Sequence, residues 1–355
     1  QYVAYSELEQ VVKQQNAHSG FVIITNPFTG EIYALASYPS FNPNLGTYRT
    51  MEGHRNLAVV DLFEPGSVVK PIWVGWGMDN GRMKPTQTVF CENGLYAFHR
   101  IFIHDHEKYG WLPVSDVIKF SSNIGMVKLM DPVKSDDMYA CLDLFGLTSQ
   151  TGIQFPGEPR GQIRQPRRWT TVDKAVISYG QGFAVTGIQL ITAFNALVNG
   201  GMLMKPYIVD HIIDAQGKEV ESFRPTIVRK VISPQTSEQI LDILKTVTLK
   251  GGTAEGASMN SFQVFGKTGT AQKVDPLTGA YSKKDYVSNF IGGIIDASGK
   301  PRLTMIVCIN EPRLYYYASI VACPAFKNIM QKCTNIMDVS PNITVASKGG
   351  TGEGI

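Results

Sequence analysis

A chain of 355 residues, 43% of them hydrophobic, is long enough to bury a large core as one big domain or two lobes. A net charge of only +3, with no basic run interleaved with aromatics, excludes a nucleic-acid footprint. No apolar stretch reaches membrane-spanning length, and residues 1–10 do not read as a signal peptide.

In chain order, residues 1–16 read as a helix with Leu8, Val11 and Val12 as its apolar stripe. A hairpin follows, with strands at residues 21–25 and 31–36 joined by the turn from Asn26 to Gly30. From Leu62 to about Lys250 the segments are mostly helix or loop, including residues 190–199 ending at Gly200-Gly201, with a smaller β excursion at 206–232. Strands return at 263–271, 288–295 and 303–309, and a helix is predicted over 325–336. Two early and three late strands around a helical insert imply an α+β fold: one antiparallel five-stranded sheet flanked by helices, with a large helical insert. The expected division is a domain over 1–337, with a sheet lobe (1–61 plus 258–337) and a mostly helical lobe (62–257). A flexible tail rich in Gly, Ser and Thr follows over 338–355, and there is no internal repeat.

Three short motifs carry the chemistry. In Glu64-Pro65-Gly66-Ser67-Val68-Val69-Lys70, Pro65-Gly66 is turn chemistry and Ser67 stands where a helix begins. Pro71 is compatible with that helix, because a first-turn N–H lacks an intrahelical partner anyway. Helical spacing then stacks Lys70 over Ser67. A serine hydroxyl becomes a nucleophile only when a neighbour takes its proton, which an amine can do only if its pKa falls from about 10.4 toward neutrality. A drop of roughly three units is about 4 kcal/mol, which burial together with a second cation such as Lys267 could supply. The plainer alternative is an N-cap serine followed by a solvated lysine.

Ser121-Ser122-Asn123 lies between two predicted helical runs, residues 111–120 and 124–130, so a short turn can aim Ser121 and Asn123 into one cleft while Ser122 points elsewhere. A helix N-cap is again the bland reading of Ser121 or Ser122. Lys267-Thr268-Gly269-Thr270 lies on a predicted strand whose alternation places Lys267 and Gly269 on one face and Thr268 and Thr270 on the other. Gly269 leaves room for a substrate or for the helix carrying Ser67. If the strand is at the sheet's edge, the Thr270 N–H can join the Ser67 N–H as an oxyanion hole, each donor being worth roughly 3 kcal/mol in the transition state. Gly266-Lys267-Thr268 also looks like the end of a phosphate-binding loop. The glycine that pattern requires five positions earlier is Ser261, and no helix signal follows, so nucleotide binding is excluded.

Taken together and in this order, the motifs resemble those of the transpeptidase domain of class B penicillin-binding proteins, most similar to the cell-division, penicillin-binding protein 3 type. The likeness runs from about Ser19 to Met330 and includes residues 26–37, 178–182 and 266–272. It implies a peptidoglycan D,D-transpeptidase with no cofactor and no metal. Ser67 would attack the carbonyl between two terminal D-alanines of a stem peptide, and Lys70 would accept its proton. Ser121 would relay a proton to the leaving amine, while Asn123 holds Lys70 and the substrate amide. Lys267 would sustain positive potential, and Thr268 and Thr270 would bind the terminal carboxylate. β-Lactam antibiotics would acylate Ser67. The implied partners are stem peptides and, in the full-length parent, glycan-polymerising and division proteins. The implied place is the bacterial periplasm or the outer face of the cytoplasmic membrane, through an N-terminal anchor not seen in this chain, which is therefore expected to be an excised domain. A D,D-carboxypeptidase or β-lactamase, and a β-lactam sensor or silent scaffold, are the alternatives.

Other residues carry weaker signals. The five cysteines (91, 141, 308, 323 and 333) lack C-x-x-C spacing, and free buried thiols are expected, with two disulfides at most. His104-Asp105-His106-Glu107 supplies part of a metal site without an evident third ligand, and a polar loop is the simpler reading. Residues 179–182 are expected to shape a loop beside the cleft. Trp169 and Tyr315-Tyr316-Tyr317 either wall the substrate groove or pack. Glu158 is expected in a salt bridge or hydrogen bond and not as a water-activating carboxylate. Ala318-Ser319 stands where relatives often have Gly-Gly.

Overall fold

The computed structural model describes residues 1–42, 44, 53–275 and 277–343. Helix α1 (Tyr2–Gln14) leads into the hairpin β1 (Ser19–Thr25) and β2 (Ile32–Tyr38), followed by α2 (Leu57–Val60). A 3-10 turn, Gly66–Val69, runs straight into α3 (Lys70–Asp79). Next come β3 (Thr88–Phe90), β4 (Leu95–Phe98), β5 (Ile101–His104), β6 (Trp111–Pro113), α4 (Val114–Lys119), α5 (Asn123–Met130), α6 (Ser135–Leu144), α7 (Thr171–Ser178) and α8 (Gly187–Val198). The small strands β7 (Met202–Met204), β8 (His211–Ile213), β9 (Glu219–Ser222) and β10 (Ile227–Lys230) precede α9 (Pro234–Val247). Three long strands, β11 (Gln263–Val274), β12 (Tyr281–Ile295) and β13 (Pro301–Asn310), and helix α10 (Ala322–Ile336) complete the order.

The main sheet runs β11-β12-β13-β1-β2, antiparallel throughout, so the first hairpin pairs with the last strand and β11 lies at an edge. Helices cover both faces because these strands are apolar on both sides, as the wholly buried β1 illustrates. Helices α1 and α10 lie on one face: a Cβ on Gly20 would meet Leu8 at 2.9 Å, and Phe290 stacks edge-on against Phe326. Helix α8 lies on the other, fixed by a buried triangle in which the Asn195 amide donates to Thr25 (2.9 Å), and the Thr304 hydroxyl donates to Asn195 (2.6 Å). Capping boxes begin α7 (Thr170 and Asp173) and α8 (Thr186 and Gln189), and Ser233 with Pro234 begins α9.

The five strands and the α+β class are as the pattern implies. Two local expectations change. The run 111–120 is not one helix: Trp111–Pro113 pairs with β3, and α4 begins only after Pro113, whose missing N–H suits the position before a helix. The helical insert also holds a β4–β5 hairpin, because the alternation in four-residue strands is too short to be read against noise. Of the tail, residues 338–343 lie on the end of the sheet: Ala297 donates to the Ser340 carbonyl, and the Gln263 N–H to Asn342. Its remainder, 344–355, lies outside the described residues. Among the described residues no helix is long and apolar enough to cross a membrane.

Candidate active site

Ser67 sits in the 3-10 turn because the chain must reverse at Gly66, whose φ of +61° favours glycine. The Gly66 N–H donates to the Gly180 carbonyl at 2.9 Å, and Gly180 has no room for a side chain, since its Cβ would stand 2.0 Å from the Gly66 oxygen. The loop 179–182 is thus the support under the nucleophile's turn. The Lys70 N–H bonds to the Ser67 carbonyl, and in 3-10 geometry residues three apart eclipse, so the two side chains share a side. The turn crosses the sheet edge at Gly269, where a Cβ would lie 2.3 Å from the Asn289 side-chain oxygen and 3.0 Å from the Pro65 carbonyl; the space that Gly269 leaves is shared by Asn289 and the serine's own segment.

Lys70 is fully buried. Its ammonium donates to the Ser121 carbonyl (2.6 Å), the Asn123 side-chain oxygen (2.7 Å) and the Ser121 hydroxyl (3.3 Å). Lys267, also fully buried, donates to the same Ser121 hydroxyl at 2.8 Å and to the Thr268 carbonyl at 3.0 Å. Two amines therefore flank one hydroxyl. Burial pushes Lys70 down to about 7, against an opposing pull from Asp105 and Cys91. Burial first, and then the charge of Lys70, hold Lys267 well below the ordinary lysine value. Burial is the larger cause at Lys70, and the mutual repulsion is felt at Lys267.

These groups open into a cleft of about 650 Å³ lined by Ser67, Ser121, Asn123, Thr268 and Thr270. The Ser67 hydroxyl makes no hydrogen bond to any described residue and is half-buried at the cleft floor, free to meet a substrate. The Thr270 hydroxyl accepts from the Ala318 N–H (3.2 Å) and keeps its own hydrogen to donate. The Thr268 hydroxyl donates to Thr253 at 3.0 Å. Tyr286, Tyr316 and Tyr317 form one wall, Tyr286 and Tyr316 stacked at 4.2 Å, and His106 faces Tyr317 at 5.2 Å. Trp169 is not part of this lining; it packs on Tyr139.

The candidate residues of all three motifs therefore meet in one place. Ser122 turns away, capping α5 through Gly125 at 2.8 Å. Glu158 accepts from the N–H and hydroxyl of Thr151 and from Gly152, holding its own loop, and does not line the cleft. Among the described residues no three His, Cys, Asp or Glu side chains gather as a metal site, and all five cysteines are free thiols. Sequence reading left Asp105 in a polar loop without a role at this site and passed over Thr253. Asp105 caps the Ser122–Asn123 turn from 17 and 18 positions upstream, a separation at which no local pattern signals a cap.

Comparison with known proteins agrees with this geometry. A family model described as the penicillin-binding protein transpeptidase domain matches residues 20–331. The chain is 33% identical over 343 residues to a Neisseria flavescens protein named "Probable peptidoglycan D,D-transpeptidase PenA", covering 96% of this chain and 81% of the relative. It is 31% identical to the peptidoglycan D,D-transpeptidase FtsI of Escherichia coli K12, covering 96% of this chain and 55% of that protein. Several relatives are thus spanned over little more than half their length, 56% in the Neisseria gonorrhoeae case. Among solved structures, the transpeptidase domain of Burkholderia pseudomallei penicillin-binding protein 3 superposes with a TM-score of 0.83 at 30% identity, covering 97% and 96% of the two chains. Penicillin-binding protein 3 of the tuberculosis mycobacterium, in complex with ampicillin, superposes with a TM-score of 0.88 at 27% identity, covering 98% of this chain and 78% of that one. Because the match runs unbroken from the first strand of the sheet into the last helix, the chain belongs to the penicillin-binding protein transpeptidase family.

Proposed function

We propose that this chain is a serine peptidoglycan D,D-transpeptidase that cross-links stem peptides through an acyl-enzyme on Ser67 and is acylated by β-lactams at the same hydroxyl. The observation that carries the reading is Lys70: a fully buried amine lowered to about 7, on the same side of the 3-10 turn as an uncommitted serine hydroxyl. In the neutral form it takes the Ser67 proton as Oγ attacks the penultimate D-alanyl carbonyl. The N–H groups of Ser67 and Thr270 hold the oxyanion. Ser121, hydrogen-bonded to both lysines, passes a proton to the departing D-alanine amine as the C–N bond breaks and the ester forms. Asn123 keeps Lys70 aimed. Thr268 and Thr270 take the terminal carboxylate, which favours the ammonium form of Lys267 and restores positive charge beside the substrate. An amine of a second stem peptide then attacks the ester, forming the cross-link and freeing Ser67.

The names of the relatives support the reaction itself, and the resemblance of the motifs to the cell-division type is the ground for placing the parent protein in septal wall synthesis, anchored at the outer face of the cytoplasmic membrane and working with glycan-polymerising and division proteins. Labelling with a fluorescent penicillin tests the site. The native chain is expected to retain the label through a chase of unlabelled drug, and Ser67→Ala to take up none. Label on the alanine variant refutes the nucleophile, and release within seconds makes the chain a β-lactamase.

A further inference from the structure

Asp105 lies in the loop after β5, outside all three motifs, yet it ends at the turn that carries Ser121. One carboxylate oxygen accepts from the N–H groups of Asn123 (2.6 Å) and Ile124 (3.1 Å), and the other accepts from the Ser122 hydroxyl (2.5 Å). Both residues following Ser121 are therefore gripped by one carboxylate. Ser121 itself has a φ of +61°, a left-handed conformation that is strained for a non-glycine residue and persists only where neighbours enforce it. This conformation sends the Ser121 carbonyl and hydroxyl to Lys70 together. The adjoining His104 carbonyl accepts from the Asn123 amide at 3.0 Å, which leaves that side chain's oxygen facing Lys70 at 2.7 Å. His104 thus fixes the amide end of the Asn123 side chain, and Asp105 fixes the backbone of Asn123 and the side chain of Ser122, immediately after the strained Ser121.

We propose that Asp105 is a positioning residue for acylation, holding the Ser121–Asn123 turn in the strained geometry that presents three acceptors to Lys70. It touches no reacting atom. Its second effect is electrostatic, since its charge opposes the fall in the Lys70 pKa. The other groups facing this pair are the Cys91 thiol, in contact with the Ser122 hydroxyl, the Tyr109 hydroxyl, Lys267 across Ser121, and Lys128 behind Cys91. The inference rests on the acyl-transfer reading above.

The test measures fluorescent-penicillin acylation of the native chain, Asp105→Asn and Asp105→Ala between pH 5.5 and 9, with Tm for each. Asn keeps one acceptor oxygen for the Asn123 and Ile124 N–H groups and replaces the other with an NH2 donor, without charge; Ala removes the grip. Asp105→Ala is expected to acylate about 100-fold more slowly on the plateau of its pH profile, the cost of displacing the relay by roughly 1 Å, with the midpoint also moved to the acid side because the charge is lost. Asp105→Asn is expected to recover most of that rate, with the midpoint of its pH profile moved to the acid side. An Asn variant with the native midpoint, or an Ala variant acylating at the native rate, overturns the proposal. If Asp105→Ala fails to fold, the Asn midpoint alone decides. If the native chain is not labelled at all, it is the acyl-transfer reading that fails.

Discussion

Lys70→Ala is expected to lower the rate of β-lactam acylation about 10³–10⁴-fold, the upper part of what a positioned general base contributes. The size follows from isolation: Lys70 is fully buried beside Ser67, and Lys267, the only other described amine on this hydroxyl network, is turned to Ser121 and Thr268. The change also strips the donor from the Ser121 carbonyl and the Asn123 oxygen, each orphaned acceptor costing about 1–3 kcal/mol, so Tm must be measured alongside. Lys70→Arg separates base from charge. A guanidinium keeps the positive charge and the donors but does not deprotonate in proteins, so this variant is expected to be as inactive as alanine. Near-native acylation by Lys70→Arg would show that the site needs a cation and not a base.

Gly180→Ala is expected to lower acylation about 100-fold without touching any motif residue. A Cβ at this position would stand 2.0 Å from the Gly66 oxygen, and its φ is +90°, so the Ser67 turn must shift. Gly200→Ala supplies the control: its φ is +87°, but nothing lies within 4 Å of its Cβ. Both variants are expected to lose Tm through backbone strain of about 1–2 kcal/mol, and only the first to lose acylation. Equal acylation losses in both would mean that stability, and not the seating of Ser67, sets the rate.

Much of this was legible in the sequence, for reasons particular to each element. The long strands β1 and β13 announce themselves through branched apolar runs, and Pro65-Gly66 announces the turn before Ser67. The convergence of Ser67, Ser121 and Lys267 came from motif resemblance, because no periodicity links residues some fifty and two hundred positions apart. Three features lay beyond local reading. The left-handed conformation of Ser121 is imposed by tertiary contacts and has no signature in Phe120-Ser121-Ser122. Asp105 acts across a loop, where its neighbours His104 and His106 suggested metal chemistry instead. The support of Gly66 by Gly180 joins positions 66 and 180, so the glycine announces that space is needed but not for which partner.

The central claim is that Lys70 serves as a neutral amine, and the acylation rate as a function of pH tests it most directly. Below its midpoint the rate is expected to rise tenfold per pH unit as the amine loses its proton, reaching half of its plateau near pH 7. The same depressed value means the folded chain binds fewer protons than the unfolded one between about 7 and about 10.4, so this group's contribution to stability also rises with pH across that window. An acylation midpoint near that of ordinary lysine, or a rate flat across pH 5.5 to 9, would contradict the account.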